Sequence, residues 1–329
     1  MGKVLLVVVA AAVCVTAYVL FKTGITTTIE PHFEGTCQAS GSVPAAEDIV
    51  VDAAEGLAYL SSFNKASAGI YTLDLTDPQS TTKPLQLDQP DDFLPLGIAG
   101  YPIEGPFERL YVINRAALPA IEVFSLPDGQ HIDTLAHELL RYPNNLVATA
   151  PDEIYVTNTH ASEPNSLKRW LATLFRLETG YVVRFADSLA NVAAEEIGYA
   201  NGIAASADGR QVHVGSIATH EIHTFARDPS GALTLRNSTA TPGGVDNISV
   251  VENGDLIAAL HPKAFAALAH LAGSSPHAPS RVVRVSDDRV STVYEDTGEQ
   301  IAAAAVGAIW GNQLLIGPVR DDHFLRCVF

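Results

Sequence analysis

Four short polar sites in this sequence could do chemistry together: Glu47-Asp48, Asn144-Asn145, Asn201-Gly202 and Asp246-Asn247. Each stands directly before a short apolar run, and together they offer carboxylate and amide oxygens with no Lys or Arg among them. Such oxygens are hard donors and suit a hard cation such as calcium, whereas zinc calls for thiolate and imidazole. Asp and Asn also favour turns, so any one site alone would read as a turn. The case for a metal rests on the four sites being brought together, and that depends on the elements that carry them.

Those elements form a repeated module. In Val245–Pro262 the pair Asp246-Asn247 precedes one apolar run, and Gly254-Asp255 then turns into a second. Glu47-Asp48 leads into Ile49–Val51, and Glu55-Gly56 into Leu57–Leu60. Leu96-Gly97 leads into Ile98-Ala99, and Glu108-Arg109 into Leu110–Ile113. Asn144-Asn145 precedes Leu146–Ala148, with Asp152-Glu153 before Ile154–Val156. Asn201-Gly202 precedes Ile203–Ala205, with Asp208-Gly209 before Val212–Val214. A sixth copy, Val306-Gly307 with Gly311-Asn312 before Leu314–Ile316, carries no oxygen donor in its first pair. Six copies at spacings of roughly 45–55 residues predict an all-β, six-bladed propeller, because a blade of four short strands takes about that length. Residues just before the innermost strands would then converge on the axis. Donors at four of six equivalent positions favour the metal over a set of unrelated turns.

Four segments, Ala46-Glu-Asp48, Pro143-Asn-Asn-Leu-Val147, Tyr199-Ala-Asn-Gly-Ile203 and Val245-Asp-Asn-Ile-Ser-Val250, resemble the calcium-binding segments of the serum paraoxonase/arylesterase family. The likeness runs from about Cys37 to the C-terminus in segment order and spacing. It implies a six-bladed propeller with two calcium ions in its channel. Position by position, it implies that Glu47, Asn144, Asn201, Asp246 and Asn247 hold a catalytic ion, and that Asp48, Asn145 and the backbone oxygen of Ile98 hold a structural one. The family has Asp where this chain has Asn145, so the second ion is expected to be held more weakly.

Glu47 and Asp246 together neutralise one Ca2+, and an open coordination position would polarise a carbonyl or phosphoryl oxygen and stabilise the developing oxyanion. Water would attack, and a base must take its proton. The resemblance implies a histidine dyad for that step, but Leu96 and Arg115 occupy its two places. His261 and His160 match pocket-lining histidines of the family and are the candidate bases, each of which could equally be a hydrogen-bonded structural histidine. Asp246 could itself act as base or nucleophile, and Arg115 could orient a carboxylate, stabilise an anion or simply fill a channel wall. The reading is a calcium-dependent carboxylic ester hydrolase acting on lactones or aryl esters. The alternative is a non-hydrolytic propeller that uses the same pocket to bind or cyclise a small molecule. No Gly-x-Ser-x-Gly elbow, zinc-spaced histidine pair or phosphate-binding glycine loop competes.

The remaining features place the chain rather than define its chemistry. A length of 329 residues with 47% hydrophobic content supplies a core for one propeller over 37–329, after a segment 1–22 and a linker 23–36. The net charge of −17 argues against nucleic acid and anionic membrane surfaces as electrostatic partners. Val4–Phe21 carries no charge and at about 1.5 Å per residue spans roughly 27 Å, close to a bilayer core. It reads as a cleaved signal peptide, with Val15-Thr-Ala17 as the cleavage sequence, or as a retained signal-anchor, which the resemblance implies. Either places the propeller in the secretory lumen or outside the cell. Cys14 lies within that run, leaving Cys37 and Cys327 as the candidates for a bridge, with two free buried thiols as the alternative. Asn237-Ser-Thr239 is a glycosylation sequon expected in an outer loop, while Asn247-Ile-Ser249 is expected to stay bare. Two segments have helical spacing. Ser166–Thr179 corresponds to an amphipathic, lipid-contacting helix over the channel mouth in the family, or packs its apolar side on the propeller; His261–Ala272 lies near the same mouth.

Overall fold

The runs Leu110–Ile113 and Ile154–Val156, within the strands Arg109–Asn114 and Glu153–Asn158, are apolar at every position, not only at alternate ones, and both of their faces are buried. That is the signature of sheets stacked face to face. In the computed structural model, which describes residues 23–162, 168, 176–187 and 189–329, the strands form six antiparallel sheets, five of four strands and one of five. The innermost strands are Ala46–Asp52, Pro95–Tyr101, Pro143–Ala150, Ala200–Ala205, Gly244–Val250 and Ala304–Trp310. Each lies beside the next, and the last beside the first, so they close a ring. All six modules fall on an innermost strand and the strand after it, and the architecture is the predicted six-bladed propeller.

Burial follows position in the blade. The second strand of the third blade, Glu153–Asn158, is buried throughout, whereas the rim strand Leu233–Ala240 of the fourth is mostly exposed. The core is divided among the seams between blades. Ile49, Leu60 and Leu73 of the first blade pack on Val306, Leu315 and Phe324 of the sixth. Leu96, Tyr111 and Ile113 of the second pack on Leu146, Ile154 and Tyr181 of the third. His213, in the second strand of the fourth blade, is buried with Nδ1 3.1 Å from the Thr224 hydroxyl.

The ring closes by pairing the start of the propeller with its end. Thr36–Ser40 is the rim strand of the sixth blade, paired with Phe324–Val328, and Cys37 stands opposite Cys327 and is bonded to it. Just before it, His32–Phe33 adds a fifth strand to the fifth blade, so part of the expected linker belongs to the propeller. Asn237 lies in the rim strand Leu233–Ala240, not in a loop, and its Nδ2 donates to Asp288 Oδ1 at 2.7 Å. Asn247 is fully buried.

The expected helix near the mouth is present as Ala264–Leu271. It buries Ala267 and His270 and leaves Phe265, Leu268 and Leu271 half exposed. Thr23 accepts a hydrogen bond from Ala264 N at 3.0 Å, so the chain entering from the apolar segment docks beside this helix. The apolar run at 4–21 lies outside the described residues, as do 166–179 apart from Lys168 and 176–179. Among the described residues no helix is long and apolar enough to cross a membrane.

Two outcomes follow from the fold. The Cys37–Cys327 bridge closes a loop of 290 residues, for which the chain-entropy relation sets an upper figure of about 5–6 kcal/mol. A Cys37→Ser, Cys327→Ser double variant should therefore melt well below the native protein by calorimetry, and equal melting temperatures would refute a stabilising closure. Burial pushes the His213 pKa down to about 4, below its unfolded value of about 6.5. The unfolded chain then binds the extra proton first, so this contribution is complete above pH 6.5 or so and is lost as pH falls toward 4. Thermal melts between those values should fall more steeply for the native protein than for His213→Gln, and parallel pH profiles would count against this.

Candidate active site

The innermost strands are not regular where the polar sites fall. Register breaks between Ala46 and Asp48, Pro95 and Ile98, Pro143 and Leu146, Ala200 and Ile203, Val245 and Ile248, and Ala304 and Val306. The donor residues therefore sit inside the strands, at bulges, and not before them as their turn-like composition suggested. A bulge places two residues opposite one and re-aims their side chains, here toward the axis. Ala45 and Tyr199, just ahead of two of these strands, take left-handed φ values of 51° and 56° although neither is glycine. Backbone strain of that kind concentrates at functional sites.

Glycine sets how closely the blades approach. A Cβ on Gly97 would lie 2.5 Å from the Asn144 carbonyl oxygen, and one on Gly202 would lie 2.4 Å from that of Asp246. The donor pairs of the third and fifth blades thus rest against glycines of the second and fourth.

Two levels result. The upper one opens into a cavity of about 440 Å3 lined by Glu47, Asn144, Asn201 and Asp246, with His160, His261, Arg115 and Leu96 around them. The first four come from four different blades and are buried. Glu47 Oε2, Asn144 Oδ1, Asn201 Oδ1 and Asp246 Oδ1 are each buried without a hydrogen-bond partner. A single orphaned buried oxygen costs on the order of 1–3 kcal/mol, and four in one cavity are a donor set that a cation would satisfy. Burial first, then the Asp246 and Asp48 carboxylates, push the Glu47 carboxyl well above the usual range, against the pull of Asn247 and Arg115. Arg115 offsets this clustering of carboxylates only in part. Among the described residues no group of three or more His, Cys, Asp or Glu is placed to hold a metal ion, so the case rests on the amide oxygens as much as on the carboxylates. Two carboxylates with amide oxygens fit calcium.

The candidate catalytic groups occupy distinct places in this cavity. His261 ends the second strand of the fifth blade, and its Nε2 lies 2.7 Å from Asp246 Oδ2, both side chains being buried. A neutral imidazole donating there keeps its lone pair on Nδ1, which has no hydrogen-bond partner. His160 is also buried, its Nδ1 3.3 Å from the Thr179 hydroxyl and its ring edge-on to Tyr199 with centroids 4.9 Å apart. Arg115 is fixed by a hydrogen bond from Nη1 to the Pro143 carbonyl at 2.8 Å. Leu96 presents a buried apolar side chain. Arg176, Tyr199 and His220 also line the cavity. The sequence carried no signal for His220, which lies in the turn before Glu221–Arg227.

The lower level holds Asp48, Asn145 and Asn247, buried together. Ile98 reaches it with its N–H, which donates to Asp48 Oδ2 at 2.9 Å, where its backbone oxygen was the expected contributor. Asp48 Oδ1 accepts from Ile49 N at 3.0 Å. Asn145 Nδ2 donates to Asn247 Oδ1 at 2.7 Å. The expected second ligand set is brought together, but its side chains are bonded to protein partners.

The protein is thus a bulged six-bladed propeller with an oxygen-donor cluster and a buried Asp–His pair at one mouth of its channel. Comparison with known proteins identifies its family. The model of the Arylesterase family matches residues 42–327, and the chain belongs to that family. Human serum paraoxonase/arylesterase 1 is 31% identical over 80% of this chain and 79% of that protein. Human serum paraoxonase/lactonase 3 is 27% identical over 88% of each. Among solved structures, the calcium-binding protein regucalcin from Agrobacterium tumefaciens superposes with a TM-score of 0.56 at 12% identity, covering 91% of this chain and 95% of its own, a likeness of fold alone.

The orphaned oxygens generate a direct expectation. Calcium should raise the melting temperature over that in excess chelator through mass action, and Asp246→Ala or Asn201→Ala should shrink that difference. Identical melts of the native protein in calcium and in chelator, with no ion retained by elemental analysis, would exclude the assignment.

Proposed function

We propose that this protein is a calcium-dependent carboxylic ester hydrolase whose preferred substrates are lactones. The observation that carries the reading is the His261–Asp246 pair set within the cluster of orphaned oxygens in one cavity. Calcium held by Glu47, Asn144, Asn201, Asp246 and Asn247 would supply the positive charge that polarises the substrate carbonyl and offsets the oxyanion.

The chain's own residues do the rest. His261 Nδ1 takes the proton from the attacking water, and Asp246 Oδ2 holds the ring in the tautomer that leaves Nδ1 basic. As the ring becomes imidazolium, the same carboxylate stabilises its charge. Phe265, Leu268 and Leu271 of the mouth helix, with Phe63 and Leu96, give the cavity apolar walls suited to the hydrocarbon part of an ester. Arg115, anchored to Pro143, presents a fixed cation to the same space.

Lactones are favoured because ring closure holds the ester s-trans and makes its carbonyl more electrophilic than that of an open ester. Carbonyl polarisation then carries more of the barrier, and one histidine suffices where the family's dyad is replaced by Leu96 and Arg115. That replacement also favours a second reading, a non-hydrolytic pocket that binds or cyclises a small molecule. The disulfide supports an oxidising, secretory location, and the uncharged run at 4–21 supports an anchor to the membrane there.

The test is turnover of a panel of lactones, aryl esters and phosphotriesters by the calcium-loaded protein. Lactones should be hydrolysed fastest. His261→Ala should lower kcat by about 10²-fold or more with a smaller change in KM. Leu96→His with Arg115→His should raise the aryl-ester rate preferentially. Absence of turnover for every ester and lactone would transfer the assignment to the binding or cyclising pocket.

A further inference from the structure

We infer that the channel holds one calcium ion and that the amide side chain of Asn145 takes the place of a second. The inference rests on the proposed reading for the upper ion only. Its evidence is the contrast between the two levels of the channel, which differ in how their oxygens are used.

The lower level is a closed hydrogen-bonded chain whose polarity is set by backbone groups at both ends. Leu146 N–H donates to Asn145 Oδ1 at 2.6 Å, so Oδ1 must be the acceptor and Nδ2 must face the other way. That Nδ2 donates to Asn247 Oδ1 at 2.7 Å. Asn247 is then oriented in turn, and its Nδ2 donates to the Glu47 carbonyl at 2.8 Å. Asp48 receives Ile49 N–H on one oxygen and Ile98 N–H on the other. Asn145 N–H in turn donates to the Thr157 hydroxyl at 3.0 Å, which locks this corner to the second strand of the third blade. Each side-chain oxygen and amide nitrogen of Asp48, Asn145 and Asn247 that is buried has a partner, while four oxygens of the upper level have none.

A calcium ion needs six to eight oxygen ligands or so. At the lower level it would meet a single carboxylate whose two oxygens already accept backbone N–H groups, and an amide that turns its donor toward the site. Taking ligands there means breaking those bonds and facing the positive end of the Asn145 N–H dipoles. A carboxylate at position 145 would reverse this. It could not donate to Asn247 Oδ1, it would repel Asp48, and a cation would relieve both. Asn145 is therefore the residue that sets the number of ions. Its bond to Asn247 Oδ1 also has a consequence upward, because it steers that oxygen's remaining lone pair and so preorganises a fifth donor for the upper cluster.

The experiment counts ions. Chelator-stripped protein is titrated with calcium by calorimetry, and the saturated, desalted protein is analysed by native mass spectrometry and elemental analysis. The native protein should bind one ion per chain, and Asn145→Asp should bind two, with a larger calcium-dependent rise in melting temperature. Two ions in the native protein would overturn this inference while leaving the hydrolase reading intact. No ion at all would remove both. A folded Asn145→Asp, judged by near-ultraviolet circular dichroism, that still binds one ion would overturn the role given to Asn145. The native count decides the ion number whether or not the variant folds.

Discussion

Three carboxylates, Glu47, Asp48 and Asp246, are buried in one narrow channel, and the rest of the molecule is arranged around the cost of keeping them there. Buried charges of one sign are stable only when each is paired, hydrogen-bonded or bound to a cation. The two levels of the channel meet that requirement differently. Asp48 accepts two backbone N–H groups, which offset only part of the burial that pushes its carboxyl up to about 7. Glu47 and Asp246 keep oxygens with no protein partner, so their charge is available to an ion from outside. The lower level is thus closed by its own hydrogen bonds, whereas the upper one keeps unpartnered oxygens.

Holding that arrangement requires the ring to stay closed. The donors come from blades one, three, four and five, and no single blade contains the cluster. Bulges aim the side chains, glycines at 97 and 202 let neighbouring backbones touch, and the paired termini with the Cys37–Cys327 bond stop the seam beside the first blade from opening. Stability at the rim and geometry at the axis are thus one problem, because a small opening at the seam would move Glu47 away from Asp246.

The chemistry also has an internal logic that differs from the dyad its family leads one to expect. Asp246 offers one oxygen to His261 and leaves the other toward the ion site. One carboxylate thus joins His261 to the cluster of unpartnered oxygens. Leu96 and Arg115, where the dyad would stand, make that part of the cavity part apolar and part cationic. Family membership sets the reaction class.

The repeated modules carried the architecture in the sequence itself. Each inner strand must be apolar to pack between blades, and each must begin with a polar pair or glycine at the axis, so six copies of that pattern were legible without coordinates. Glu47, Asn144, Asn201 and Asp246 were legible for the same reason, since residue type and repeat position together place an oxygen at the centre. Side-chain partnerships were not. That His261 meets Asp246 depends on cross-strand register, and that Ile98 offers its N–H to Asp48 depends on a bulge. His220 lines the cavity only because its turn folds over the mouth. Asn145 is the sharpest case: its sequence showed a missing negative charge, but only the packed channel decided that its amide would turn a donor toward Asn247 and close the lower level. Composition and period are written along the chain, whereas hydrogen-bond direction is chosen only when distant strands meet.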